Sequence, residues 1–301
     1  MIITPATLTA LMTGFNKSFE QGKSQAASQY SKIATVIKST SKSNTYGWLG
    51  KWPKFREWIG DRVINDMTAS SYTVVNKPFE SSIGVDRDDI EDDEIGVYAP
   101  MFVEMGRSSE VFPDELLFPM LDAGTASLCY DGQNFFDTDH PVYAAHDGTG
   151  AVTSVSNYDN NGGTPQTKWY LLDTTRALRP LIYQDRKAMQ FTAMTKQDDE
   201  AVFTSKQFRY GVDCRANGGY GFWQMAYCST KPLTAENVWA AIEAMRGFKA
   251  DGGKPLGIKP NMLVVRGTQQ QAALEAMKQN IGGGETNTLS GQLEVLVADY
   301  L

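Results

Sequence analysis

The chain's two histidines fall in one short stretch, Phe135-Phe136-Asp137-Thr138-Asp139-His140-Pro141-Val142-Tyr143-Ala144-Ala145-His146-Asp147. Imidazole nitrogens and carboxylate oxygens are the donors that Zn²⁺ and Mn²⁺ take. Asp137, Asp139, His140, His146 and Asp147 are therefore a candidate ligand set, and a metal-dependent hydrolase built on Asp139, His140 and His146 is one reading. Helical zinc motifs instead place two histidines four residues apart with a glutamate base beside the first. That arrangement is missing here, and a polar loop pinned by an Asp139 or Asp147 hydrogen bond to an imidazole is the favoured reading. Seven acids crowd Asp86-Arg87-Asp88-Asp89-Ile90-Glu91-Asp92-Asp93-Glu94. They could hold a cation, but acids at a helix start face unpaired N–H groups, so a solvated cap is favoured.

Nucleophilic and phosphate chemistry find no constellation. No serine sits in Gly-x-Ser-x-Gly, and Cys129, Cys214 and Cys228 are isolated thiols with no histidine close in sequence. Gly218, Gly219 and Gly221 lack the Lys-Ser/Thr ending of a phosphate loop and read as a tight turn between strands. The expectation is a protein that is not an enzyme, with no catalytic residue, no metal and no cofactor.

Composition narrows the class further. Charged residues are 21% and apolar ones 42% of 301 residues, a globular balance. Lys and Arg number 28 against 35 Asp and Glu, a net charge of −7, which argues against a sequence-reading nucleic-acid binder but not against a protein that encloses nucleic acid. No apolar run reaches the length of a membrane span. Met1–Pro5 carries no basic region followed by an apolar core, so no signal peptide is expected. Three unspaced cysteines fit a reducing compartment.

Along the chain, Leu8, Leu11, Phe15 and Phe19 make a narrow helical stripe in a polar segment. It reads either as an arm lying on a neighbouring subunit or as a helix packed on its own body. Trp48, Trp52, Phe55, Trp58 and Tyr72 crowd among glycines 47, 50 and 60, as in a projecting loop with aromatic anchors, and Thr73–Glu80 reads as extended. A long helix, kinked at Pro100, is expected from about 88 to 130, with Ile90, Val97, Met101 and Met105 on one face. Residues 131–167 are loop-rich, and Trp169, Leu172, Thr175, Leu178 and Ile182 recur at helical spacing. Strands are expected at 190–194, 207–212 and 222–228. Thr234 can cap a helix over Val238–Phe248, Met262–Val265 is a buried strand, Thr268 and Gln271 form a capping box for a second helix, and Leu293–Val297 closes as a strand. That alternation is an α/β layer.

The order of these elements resembles the major head subunit of Mu-like phages, within the HK97-like capsid group. The similar stretches are Trp48-Leu49-Gly50 through Glu57-Trp58-Ile59-Gly60-Asp61-Arg62, Phe79-Glu80 with Ile83 and Arg87-Asp88, and Asn134-Phe135-Phe136 before Asp139-His140. Further ones are Tyr210-Gly211-Val212-Asp213 through Gly221-Phe222-Trp223-Gln224, and Pro255-Leu256 with Pro260–Val265. The resemblance implies an α+β HK97-like fold: an N-terminal arm (1–44), an extended β-hairpin loop (45–82), peripheral segments (83–140, carrying the long spine helix, and 185–215) and axial segments (141–184 and 216–301). It implies hexamers and pentamers closing into an icosahedral head around double-stranded DNA, with scaffold and portal proteins as partners and no membrane. Assembly in the host cytoplasm and residence in the virion capsid follow. On that reading Phe15, Trp48, Trp52, Arg56, Trp58, Arg62 and Tyr72 are expected inter-subunit contacts. The shell of a cargo-enclosing compartment is a further alternative.

Overall fold

Thr4 and Thr7 open the first helix. In the computed structural model, which describes residues 2–49, 72–146, 148–196, 199–278 and 287–301, the Thr4 hydroxyl accepts the Thr7 N–H and the Thr7 hydroxyl accepts the Thr4 N–H. Two donors that a helix start leaves unpaired are thereby satisfied. Helix α1 (Pro5–Gln25) buries the stripe Leu8, Leu11, Phe15 and Phe19 against the chain's own body. Helix α2 (Tyr30–Ile33) and strands β1 (Ala34–Lys38), β2 (Ser43–Thr45), β3 (Thr73–Val75) and β4 (Lys77–Asp86) follow. The Asp86 carboxylate then accepts the Asp88 N–H at 2.9 Å and caps α3 (Arg87–Glu91). The start of the acidic run is thus a helix cap, as its composition suggests.

The long helix starts later and ends earlier than the spacing predicts. A single 3-10 turn (Ile95–Val97) separates α3 from α4 (Ala99–Ala123), and Asp93 with φ 63° breaks the backbone between them. Pro100 lies in the first turn of α4, where its missing N–H leaves no intrahelical bond unmade, so it does not bend the rod. The interior prolines are Pro113 and Pro119. Phe102, Met105, Ser109, Leu117, Phe118 and Leu121 form the buried face. Val97 and Met101, expected there, are 65% and 50% exposed: one precedes the helix and the other is a position off the stripe.

The remaining elements are β5 (His140–Tyr143), β6 (Val152–Val155), β7 (Tyr158–Asp159), β8 (Trp169–Leu172), β9 (Leu181–Met194), α5 (Glu200–Ser205), β10 (Gln207–Tyr220), β11 (Ala226–Ser229), α6 (Ala235–Arg246), β12 (Met262–Arg266), α7 (Gln270–Ala276) and β13 (Glu294–Ala298). The two larger sheets have the orders β1-β9-β10-β4 and β13-β12-β8-β11-β7, and β2-β3 and β5-β6 form two-stranded pairs. Residues 168–183 are thus strand β8, a connection and the start of β9, not a helix. All four positions of β8 are buried, and in a two-sided strand chance apolar spacing imitates a helical period. The Thr234 hydroxyl caps α6, accepting the Asn237 N–H. The Thr268–Gln271 box does not form, because Thr268 lies inside a 3-10 turn (Gly267–Gln269) that runs into α7.

Apolar burial divides into two clusters. The larger packs β8, β11, β12 and α6 with the end of α4. The smaller packs α1 and α4 on Ile83, Val85, Phe208, Tyr210 and Val212. Strands β9 and β10, fourteen residues each, run through both. β9 is buried on both faces from Leu181 to Tyr183, beside the large core, and alternates farther out. Between those stretches the register of β10 on β9 shifts at Asp213–Arg215 and again at Arg215–Ala216. Gly218 and Gly219 belong to β10 and do not form the expected turn. A Cβ on Gly218 would lie 2.3 Å from Met120 Sδ, and one on Gly219 2.6 Å from Val74 Cγ2. Their smallness lets α4 and β3 close on the sheet.

Candidate assembly surfaces

Most of the expected contact residues lie in the sequence between β2 and β3. Those strands pair antiparallel, Ser43 opposite Val75 and Thr45 opposite Thr73, and Tyr46 N–H closes the neck on Tyr72 C=O at 2.8 Å. Trp52, Arg56, Trp58 and Arg62 lie outside the described residues. Under the neck is a buried polar network. The Tyr46 hydroxyl donates to Gln184 Oε1 (2.7 Å), Gln184 Nε2 donates to Asn76 Oδ1 (2.7 Å), and Asn76 Nδ2 donates to Ser39 Oγ (2.9 Å). Ser39 in turn donates to Asn44 Oδ1 (2.8 Å). Gln184 and Asn76 are 0% and 5% exposed. Each of these polar groups needs a partner away from water, so the network fixes where the neck meets β9. Burial pushes the Tyr46 phenol up to about 12.

Trp48 and Tyr72 are half-buried at this root. The Trp48 ring meets Tyr46 edge-on at 5.8 Å and Phe222 at the same distance, and the Tyr72 hydroxyl accepts the Tyr220 N–H at 2.9 Å. Both rings thus have partners in their own chain and offer a neighbour only their remaining surface. Phe15 corrects the expectation made for it. It is 5% exposed, stacked on Phe102 at 4.2 Å and edge-on to Tyr210 at 5.1 Å, because α1 seats its only apolar stripe in the smaller core.

Two features hold α1 and α2 to the long helix. Gly22 and Gly106 bring the backbones of α1 and α4 together: a Cβ on Gly22 would lie 1.8 Å from Val103 O, and one on Gly106 2.0 Å from Phe19 O. Farther along, the buried Asp114 carboxylate of α4 accepts the Gln29 N–H (2.8 Å) and the Tyr30 N–H at the start of α2. Burial raises the Asp114 carboxyl above its ordinary range, although those N–H bonds oppose the shift. Composition marks none of these residues, since a glycine at a close crossing and an acid under a cap look like any others.

The histidine loop does not gather the predicted ligand set. His140 is fully buried and His146 is exposed. The His146 ring lies against Gly252, with Nδ1 3.1 Å from the Asp251 carbonyl. Asp137 accepts the Asn134 N–H and the Thr138 N–H, Asp139 is exposed, and Asp147 lies outside the described residues. This corrects the hydrolase reading: His140, at the start of β5, is turned inward, and His146, in the connection to β6, outward. His140 meets two residues that sequence reasoning passed over, Asp131 and Asn157. Its Nδ1 is 2.7 Å from Asp131 Oδ2 and its Nε2 3.1 Å from Asn157 Oδ1. Burial raises the Asp131 carboxyl, but hydrogen bonds from His140 and Cys129 outweigh it and hold the group below its ordinary range. Burial pushes the thiols of Cys129 and Cys228 well up, which leaves them poor nucleophiles. Among the described residues no helix is long and apolar enough to cross a membrane.

The whole chain finds relatives. It is 47% identical over 305 residues to the major capsid protein of Escherichia phage Mu, covering all of both sequences. It is also 47% identical to the Mu-like prophage FluMu major head subunit of Haemophilus influenzae, covering 99% of each. Among solved structures it superposes on the subunit of the bacteriophage JBD30 procapsid with a TM-score of 0.87 and 54% identity, covering 99% of this chain and 100% of that one. On the JBD30 capsid the TM-score is 0.76 at 41% identity, with 100% and 99% covered. The fold is thus the HK97-like α+β fold of phage capsids. The family described as Mu-like prophage major head subunit gpT matches residues 8–301, and the chain belongs to that family.

Proposed function

We propose that copies of this chain assemble as hexamers and pentamers into the icosahedral head shell of a Mu-like phage, enclosing double-stranded DNA and residing in the virion capsid. The full-length likeness to the JBD30 procapsid subunit carries the reading. The neck at β2 and β3 supports the role of the loop: both ends from which residues 50–71 depart in sequence are fixed by buried hydrogen bonds. On this reading Trp52 and Trp58, with Trp48 and Tyr72 at the rim, bury apolar surface between subunits. Arg56 and Arg62 make bidentate pairs with carboxylates of a neighbour. The chain's acidic balance limits sticking of packaged DNA, whose phosphates a basic lining would bind in a salt-dependent way.

The chain catalyses no reaction on this reading; assembly is its chemistry. Residues 1–44 act as the arm, 45–82 as the extended loop, 83–140 and 185–215 as the peripheral part, and 141–184 with 216–301 as the axial part. Scaffold and portal proteins join during assembly in the host cytoplasm. The test is electron microscopy of the purified chain at high concentration, beside a variant with Trp52→Ser and Trp58→Ser. Closed shells or rings are expected for the parent and their loss for the variant, with the circular dichroism of the body unchanged. Small particles only, from the parent in every assembly condition, overturn the reading.

A further inference from the structure

Phe203 is the most exposed large apolar side chain among the described residues, 87% accessible on the short helix α5. That helix turns Val202 into the smaller core, so the next position points out. The backbone beneath the ring is held. The Lys206 N–H at the helix end bonds the Ala201 and Val202 carbonyls, the Lys206 carbonyl accepts the Arg87 N–H at 2.9 Å, and Lys206 Nζ lies 3.4 Å from the Asp88 carboxylate. α5 is thereby fastened to α3. The start of α4 is fastened to the same helix, since the Tyr98 hydroxyl donates to the Asp89 carboxylate and accepts the Asp86 N–H. There Val97 and Met101 are exposed, each next in sequence to a residue packed in the smaller core, Tyr98 and Phe102. One exposed apolar side chain needs no explanation, but three on fixed backbone about one core end mark a contact surface.

Charge says what covers it. Within the acidic run Arg87 takes Glu91 at 2.9 Å and Lys206 takes Asp88. Asp92, Asp93 and Glu94, exposed just before Val97, have no cation partner among the described residues, and the exposed Lys196 before α5 has no carboxylate one. An aromatic ring with a lysine thus stands on one side of α3, and aliphatic side chains with acids stand on the other. We propose that these are the two halves of one contact between copies of this chain: Phe203 and Lys196 of one copy seat on Val97, Met101 and the Asp92–Glu94 acids of the next. The inference rests on the reading of the chain as a shell subunit and names a surface that holds its copies together. A contact between two different patches is heterologous and repeats from copy to copy until a ring closes. Both halves lie where α4 begins and where β9 gives way to β10, the end away from the larger core. Copies joined this way gather those ends round a common point and leave the larger cores free for a separate interface. Burial of the ring supplies affinity, and the charges set partner and register.

The test compares the full chain with Phe203→Ser by electron microscopy and sedimentation over a concentration series. The exposed ring holds nothing in its own subunit, so the thermal transition is expected unchanged. Hexamers and pentamers are expected to form, while the concentration needed for closed shells rises at least about ten-fold, the factor that burial of one such ring carries. Lys196→Glu is expected to act the same way, and adding Asp92→Lys with Glu94→Lys to that chain restores closure, which a residue that merely steadies α5 would not allow. Shells of Phe203→Ser that close at the parent's concentration overturn this inference and leave the proposed function standing; a different protein on this face would give that result. Failure of the acid reversal to restore closure overturns the pairing. A parent that forms only small oligomers, weakened about ten-fold by Phe203→Ser, supports the contact without the shell. A parent that stays a single subunit at every concentration overturns both.

Discussion

Gln184 illustrates how much one side chain settles. It is the centre of the network under the loop neck, accepting from Tyr46 and donating to Asn76 and to the Val74 carbonyl. Gln184→Leu keeps the volume but strands the Tyr46 hydroxyl and the Asn76 oxygen in a dry place. A loss of about 1–3 kcal/mol is expected, measured as a lowered urea midpoint. Gly106→Ala acts through shape alone. Its methyl group would enter the Phe19 carbonyl, so α1 and α4 must part, at a cost of about 1–3 kcal/mol or more by the same measurement. Both residues were invisible in the sequence for one reason. Their importance lies in what stands opposite, 87 residues away across the crossing and about 110–140 residues away in the network, and local pattern carries no such information.

At the scale of elements, the end of α4 meets the second sheet through charge. Lys168 Nζ donates to the Asp122 carbonyl at 2.8 Å, and Arg266 reaches the Asp122 carboxylate at 2.9 Å. A cation at a helix C-terminus complements its dipole. Burial raises the Asp122 carboxyl, but Lys168 and Arg266 outweigh it and leave it lowered from 3.8. A lowered native value means that the stabilisation is present above the ordinary value and is lost as pH falls below it. Asp122→Asn is therefore expected to weaken the fold at neutral pH and to flatten the loss of stability below about pH 4, checked by denaturant titration across pH. The helix α1 yields another prediction. Phe102 and Tyr210, both 0% exposed, pack on Phe15. Deleting residues 1–25 uncovers them, and a soluble chain is expected to lose its cooperative thermal transition, followed by calorimetry. Periodicity located α1, α6, β12 and β13 well, because each has one buried face or a short buried run. It failed at residues 168–183 and at the start of α4, where two-sided burial and a left-handed Asp93 override the pattern.

Over the whole molecule, the resemblance carried by the Trp58–Arg62 block and its ordered companions reached the family, which composition alone could not. What the sequence did not disclose is how the parts are fastened: the neck network, the glycine crossing, the Asp114 cap and the Asp131–His140–Asn157 contact all join residues distant along the chain. Of the two readings of the N-terminal stripe, an arm on a neighbour or a helix on its own body, the second describes Leu8, Leu11, Phe15 and Phe19. A narrow apolar stripe says that something covers it, and here the cover is the chain's own long helix and sheet.

The paired strands β9 and β10 have a mechanical consequence. Fourteen residues of extended chain span about 45 Å, and no loop interrupts them between the two cores. Rotation of one core against the other must therefore pass through that ribbon and through α4, which also packs in both cores. Bulged backbone twists more readily than a regular ladder, and the irregularity at Asp213–Ala216 lies between the two anchored ends. Ribbon and helix together resist the wringing of one core against the other, and the bulge is where the ribbon yields first.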